Sequence, residues 1–265
     1  MKMMSVLKTF LTVVGLVFVV GLRAAGIGDY YSIENIAMPK GLDAQVGGLD
    51  TMPDGRLVAC FHRGEVYTYQ PKTGEWKLFA DGLQEPLGIR AISDREVVVM
   101  QRPELTRIID ENGDGVADRY QTIHDGFGMT GNYHEFAFGP ARDAKGNFYV
   151  GLNLASNGAS IRQELRGEFR HYGLDREGFK SKSYKGPAGR MYAATPYRGW
   201  VLKISPDGKM TPFAPGFRSP NGLGVDLQDR LFVTDNQGDW LGTSKLFHVQ
   251  QGRFYGHPAS LTWSS

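Results

Sequence analysis

The chain has 265 residues, of which 35 are glycine, 41% are hydrophobic and 12% are aromatic, and its formal net charge is +2. The glycine share is about twice the usual one but follows no Gly-X-Y period, so collagen is excluded, and the apolar content excludes a disordered chain. Near-neutral charge leaves no footprint for nucleic acid, and a single cysteine, Cys60, excludes an internal disulfide framework and a Cys-rich zinc centre.

Residues 1–25 read as export machinery. Lys2 and Lys8 precede an apolar run from Phe10 to Leu22, and the small residues Ala24, Ala25 and Gly26 follow. At 13 residues the run is short for a bilayer span and suits a signal-peptide core or an N-terminal anchor. The rest of the chain is therefore expected in the periplasm, free or anchored, with the membrane met only through this segment. Without Lys2, Lys8 and Arg23 the balance is 27 bases to 28 acids, or −1.

From residue 26 onward one pattern recurs: a Gly-bearing start, a short β-rich run, a turn, and a second β-rich run. The copies start near Leu49, Gly88, His134 and Asn221, at intervals of 39, 46 and 87 residues. A period near 40 with paired short strands is the mark of a β-propeller, one blade per repeat. The first copy predicts strands over 56–61, 65–69 and 75–79, punctuated by Pro53-Asp54-Gly55 and by Gly64 and Gly74. The second predicts strands over 96–100 and 105–109. The third predicts 147–152, then 200–204 and 210–213 around the turn Pro206-Asp207-Gly208. The fourth predicts 230–234 and 245–249. Between the strands of the third copy, residues 153–199 form a long insertion with nine Lys/Arg and four acids, net +5. Such a loop is either a solvated excursion or a lid that offers cations to an anionic ligand. The chain stops after the fourth copy, so the expectation is an all-β, incomplete propeller over 26–265 with about four blades.

The sharpest local motif is Asp110-Glu111-Asn112-Gly113-Asp114-Gly115-Val116-Ala117-Asp118. Oxygen side chains at loop positions 1, 3, 5 and 9 with Gly at 6 form a calcium-loop pattern, and Val116 would add its carbonyl at position 7. Position 12 is Gln121 rather than a bidentate Glu, and the flanks are strand-like. A calcium-stapled hairpin and a plain Asx-rich turn are the two readings. Two further clusters fall where one blade hands over to the next: Asn132-Tyr133-His134-Glu135-Phe136, and Arg218-Ser219-Pro220-Asn221 followed by Asp235-Asn236-Gln237-Gly238. His134 suits proton transfer near neutral pH. Arg218 offers a permanent charge and a fork of donors. Asn221, Asp235 and Asn236 are hard oxygen donors. Each residue alone also reads as an ordinary turn or hydrogen-bonded residue.

Gly-Phe-Arg-Ser-Pro-Asn-Gly-Leu at 216–223 resembles a signature of the glucose/sorbosone dehydrogenases, the quinoprotein sugar dehydrogenases. Pro-Tyr-Arg-Gly-Trp (196–200), Thr-Asp-Asn-Gln-Gly-Asp-Trp (234–240) and Phe-Tyr-Gly-His-Pro-Ala-Ser-Leu (254–261) resemble the membrane-bound dehydrogenase-type propeller domain of planctomycete-type bacteria. The resemblance runs over residues 45–265. It implies a six-bladed propeller that holds pyrroloquinoline quinone with calcium and oxidises a sugar or polyol hydroxyl, passing electrons to a periplasmic acceptor such as a c-type cytochrome. It implies His134 as the base and Arg218 as the group that holds the developing negative oxygen. It implies Arg198, Asn221, Asp235, Asn236 and Gly238 around the cofactor. Two departures stand out: Glu135-Phe136-Ala137 follows the histidine, and Asp235-Asn236-Gln237-Gly238 replaces the usual Glu-His-Gly-Pro. The Pro-Asn-Gly-Leu and Val-Thr-Asp pattern also resembles gluconolactonase blades, so a calcium-dependent lactone hydrolase is the alternative, followed by a non-catalytic propeller that binds carbohydrate or protein.

Overall fold

The computed structural model describes residues 26–156, 166–170, 191–239 and 241–264. The expected export segment, 1–25, and most of the basic insertion lie outside the described residues. The chain divides into Met1–Ala37 and Met38–Ser265. In the first unit, Ile27–Asp29 forms a single 3₁₀ turn. The second unit is nearly all β, with a second 3₁₀ segment at Pro258–Trp263. Among the described residues, no helix is long and apolar enough to cross a membrane.

Four antiparallel sheets follow one another as propeller blades. Blade I is β1 (Val46–Thr51), β2 (Leu57–Phe61), β3 (Val66–Gln70) and β4 (Glu75–Ala80). Blade II is β5 (Ile89–Ala91), β6 (Glu96–Met100), β7 (Leu105–Ile109) and β8 (Arg119–His124). Blade III is built from β9 (Ala137–Arg142), β10 (Phe148–Leu152), β13 (Trp200–Ile204) and β14 (Met210–Pro215). Its insertion carries the small pair β11 (Ala155–Ser156) and β12 (Met191–Tyr192). Blade IV has three strands, β15 (Pro220–Val225), β16 (Leu231–Asp235) and β17 (Lys245–Val249).

Strand alternation explains the stacking. On β6, Val97 and Val99 pack with Val58, Cys60, Val66 and Phe79 of blade I. Their neighbours Val98 and Met100 face the other way, onto Phe148, Val150, Trp200 and Leu202 of blade III. In the same manner Tyr149 and Val201 turn from blade II to meet Leu231, Val233 and Val249 of blade IV. One sheet thus supplies one wall to each of two cores, as a period of two requires. Cys60 belongs to the first core and is fully buried, and burial pushes its thiol up to about 12.

The first strands of the blades, β1, β5, β9 and β15, lie edge to edge, and here the recurrent glycine has its reason. A Cβ on Gly88 would stand 1.7 Å from the Gly139 carbonyl oxygen, and one on Gly48 would stand 2.6 Å from the Gly88 Cα. Successive blades therefore touch backbone to backbone, and only glycine permits that approach. The β1–β2 and β9–β10 turns reach forward to the next blade as well. The Asp54 amide donates to Asp94 Oδ1 (2.8 Å), and the Ala144 amide donates to Asp229 Oδ1 (2.9 Å).

Candidate functional site

The segment that leads into β9, residues 127–136, is held by arginines from three directions. Arg102, in the β6–β7 turn, donates to the carbonyls of Asn132 (3.0 Å) and Tyr133 (3.1 Å), pairs with Glu85, and lies 4.8 Å over the Phe136 ring. Arg166 donates to the Phe127 carbonyl (2.9 Å). Arg198 donates to the carbonyls of Gly128 (2.9 Å), Glu135 (3.0 Å) and Phe136 (3.2 Å). Carbonyls with no strand partner are paired here by charged donors, which form stronger bonds than neutral ones. Arg198 is 0% exposed and lies 4.0 Å from the equally buried Glu135 carboxylate. Burial lowers its guanidinium to about 10 and Glu135 opposes the shift, so Arg198 is a cation at neutral pH. The resemblance placed Arg198 on the cofactor. The structure instead puts it beneath the loop that carries His134.

A second segment, Asn153–Ser156, joins the two predicted catalytic residues. The Asn153 amide donates to the Phe136 carbonyl (2.9 Å), and the Leu154 amide donates to the Arg218 carbonyl (3.0 Å). Ser156 Oγ lies 2.5 Å from His134 Nδ1. Asn132 binds the arrangement together: its Oδ1 accepts the amides of His134 (3.1 Å) and Ser156 (3.2 Å), and its Nδ2 donates to the Ser156 carbonyl (3.0 Å). His134 and Arg218, 84 residues apart in sequence, thus flank one short stretch of chain. The Tyr133 ring meets the imidazole edge-on at 5.0 Å. Burial holds His134 below the ordinary value of 6.5, and the guanidiniums of Arg218 and Arg102 push it the same way. The imidazole is therefore neutral at pH 7 and able to accept a proton.

Asp235 anchors the Arg218 loop. Its buried carboxylate accepts the amides of Ser219 (2.7 Å) and Arg218 (3.2 Å), and Lys245 Nζ lies 3.6 Å from Oδ2. These donors already surround the oxygens that sequence reading offered to a cofactor or an ion. Asn221 is exposed at the start of β15 and accepts from the Thr234 hydroxyl (3.2 Å). Asn236 Oδ1 accepts the Gln237 amide (2.8 Å), and the Gly238 amide donates to the Leu241 carbonyl (2.9 Å). His257 ties this end of the molecule to the Arg218 loop: its amide donates to the Gly216 carbonyl (2.8 Å), and its Nε2 lies 3.3 Å from Asp239 Oδ2.

The Asp110–Asp118 loop, at the β7–β8 turn, lies at the opposite end of β7 from the turn that carries Arg102. Asp110 accepts the amides of Gly113 (2.6 Å) and Gly115 (2.9 Å), and Asp118 Oδ2 accepts those of Glu111 (2.8 Å) and Asn112 (3.2 Å). Asn112 Oδ1 accepts the Asp114 amide (2.8 Å), and Asp114 Oδ1 accepts the Val116 amide (2.8 Å). The Lys77 ammonium donates to the Asp114 carbonyl. The oxygens face the loop's own amides, and among the described residues no three acidic, His or Cys groups converge as a metal centre. The Asx-turn reading accounts for these bonds.

A quinone carrying several carboxylates would need cations and free donors, and the Arg218 end fits that need. Arg218 Nε is buried without a hydrogen-bond partner, as is the Asn153 Oδ1 beside its loop. Residues 72–170 match the domain of unknown function DUF7133. No curated protein matches the sequence. Among solved structures, the PQQ-bound aldose sugar dehydrogenase of Streptomyces coelicolor is 19% identical with a TM-score of 0.56, over 85% of this chain and 65% of that one. The Thermus thermophilus oxidoreductase described as a glucose dehydrogenase is 19% identical, TM-score 0.53, over 80% and 63%. A Trichoderma reesei carbohydrate-active enzyme of family AA12 is 12% identical, TM-score 0.53, over 79% and 53%. The fold is a β-propeller, as in these neighbours. At these identities the likeness concerns fold alone, and the chain spans less than two thirds of each neighbour's length. Sequence reading did not single out Ser156 or Arg102, and it met Asn132 and Glu135 only as neighbours of His134, because each acts through a partner on another blade or loop. The Asn132-x-His134 spacing, typical of an Asx turn, is the one local signal.

Proposed function

We propose that the His134–Arg218 cluster is the reaction site of a quinoprotein-type oxidoreductase that acts on a sugar or polyol hydroxyl. Export through residues 1–25 and electron delivery to a c-type cytochrome belong to the same reading. The carrying observation is the pairing of a neutral, half-buried imidazole with a guanidinium that keeps a free donor, on loops anchored to Asn153–Ser156. Arg218 would hold the cofactor through its unpartnered donor. Pyrroloquinoline quinone, when bound, supplies the hydride acceptor. His134 takes the hydroxyl proton of the substrate at Nε2, the ring nitrogen left open by Ser156. Arg218 offsets negative charge that develops beside it, from a loop whose backbone is held by Asp235. Burial chiefly, then Arg218 and Arg102, keeps the base unprotonated before reaction.

A metal-dependent lactone hydrolase is less well supported. It requires Asp235 as a metal ligand, whereas backbone amides and the Lys245 ammonium surround that carboxylate. The test of the redox reading is turnover. The full chain is incubated with pyrroloquinoline quinone, aldoses are added, and reduction of a dye is followed. Aldose-dependent reduction is expected, with kcat lowered about 10²-fold or more in His134→Ala. Turnover unchanged by that substitution would remove the reading.

A further inference from the structure

The His134 ring has one hydrogen-bonding partner among the described residues, and it is a neutral hydroxyl rather than a carboxylate. Ser156 Oγ stands 2.5 Å from Nδ1 and makes no other hydrogen bond among those residues. The contact is built in. Ser156 is 5% exposed, lies on β11, and is joined to the His134 loop by Asn132, whose side chain pairs with both backbones.

We infer that Ser156 is the positioning residue of His134: its hydroxyl fixes the ring through Nδ1, turns Nε2 toward the site as proton acceptor, and does so without adding negative charge. This rests on His134 being the base of the proposed reaction. A hydroxyl can serve both states of the ring. It accepts from Nδ1–H while Nε2 keeps its lone pair, and it goes on accepting when a proton moves from the substrate hydroxyl to Nε2. The proton then leaves to solvent and the neutral ring is restored. A carboxylate in the same place would stabilise the imidazolium and hold the ring protonated at higher pH. The charged groups that face the ring are Arg102 from the β6–β7 turn and Arg218 from the β14–β15 loop, and both oppose protonation.

The experiment is a pH titration of the full chain with ¹⁵N-labelled histidine by NMR, with His134→Gln used to assign the His134 signals. It needs no turnover, so it reads the state of the ring even if the chain binds no quinone, whereas loss of activity in His134→Ala speaks only to the reaction. In the unsubstituted chain the ring should show a single tautomer with Nδ1 protonated and titrate below the ordinary histidine range. Ser156→Asp should raise its midpoint by about one to three pH units. Ser156→Ala should give mixed tautomers, and Ser156→Thr should restore the original spectrum. Ring signals and midpoint unchanged in both the Asp and Ala variants would overturn the assignment, as would an Nε2-protonated ring in the unsubstituted chain. If the Asp variant does not fold, the Ala and Thr spectra alone decide.

Discussion

At the scale of single residues, histidine burial sets how the protein responds to pH. His124, His134 and His257 are all held below 6.5, in each case chiefly because burial disfavours the charged ring. The Gly208 carbonyl and the Asp239 carboxylate oppose the shift at His124 and His257 without cancelling it. As pH falls, the unfolded chain binds these protons before the folded one. The stability they contribute is complete above about 6.5 and is lost as pH drops through that value toward the lower folded values. Melting temperature should be flat between pH 7 and 8 and should fall progressively from 6.5 to 5. A flat profile down to pH 5 would contradict these burials. At this scale sequence reading had mixed reach. His134 and Arg218 were visible as candidate residues because of their chemistry. Asp235 looked equally like a ligand, and its actual partners are the amides of Arg218 and Ser219 and the Lys245 ammonium, none of which a linear pattern shows.

At the scale of elements, two devices hold the site in place, and each has its own test. The first is the glycine contact between first strands. Gly88→Ala would force a methyl group onto the Gly139 carbonyl, whereas a Cβ on Gly224 of β15 would meet nothing within 4 Å. Gly88→Ala should cost about 3 kcal/mol or more in urea unfolding. Gly224→Ala should cost less than about 1 kcal/mol. Equal effects would mean that the blades do not touch there. The second is the arginine set under residues 127–136. Arg198→Met leaves the Glu135 carboxylate buried without its cation, and the carbonyls at 128 and 135 without the guanidinium that donates to them. A loss of about 3–5 kcal/mol is expected, and restoration of most of it by Glu135→Gln in the same chain would confirm its origin. Strands were legible where they build the cores: β6 and β7 fall on 96–100 and 105–109 as predicted, and β13 on 200–204. The first strands were not. β1, β5, β9 and β15 are short or rich in Gly and Pro, because they lie backbone to backbone and have few apolar side chains to alternate. β8 was missed as well, being largely exposed.

At the scale of the whole molecule, the repeat period predicted the architecture, and four successive blades make up the second unit. The phrases that carried the resemblance prove to be its tertiary fastenings. The Trp200 indole donates to the Ser260 carbonyl (2.9 Å), His257 meets Asp239, and Arg198 underpins the His134 loop. Among the described residues, the first and fourth sheets carry exposed or partly exposed apolar side chains. On blade I, Tyr67, Tyr69 and Trp76 cluster with Phe61, and Leu49 is 60% exposed; on blade IV, Leu246 is 68% exposed. The proposed chemistry depends on blades III and IV bringing His134 and Arg218 to one cationic hollow that accepts a quinone. Equilibrium binding of pyrroloquinoline quinone to the full chain, followed through the cofactor's absorbance, tests that most directly. Saturable binding is predicted, at least tenfold weaker in Arg218→Ala. No saturable binding, or equal affinity in the two proteins, would contradict it.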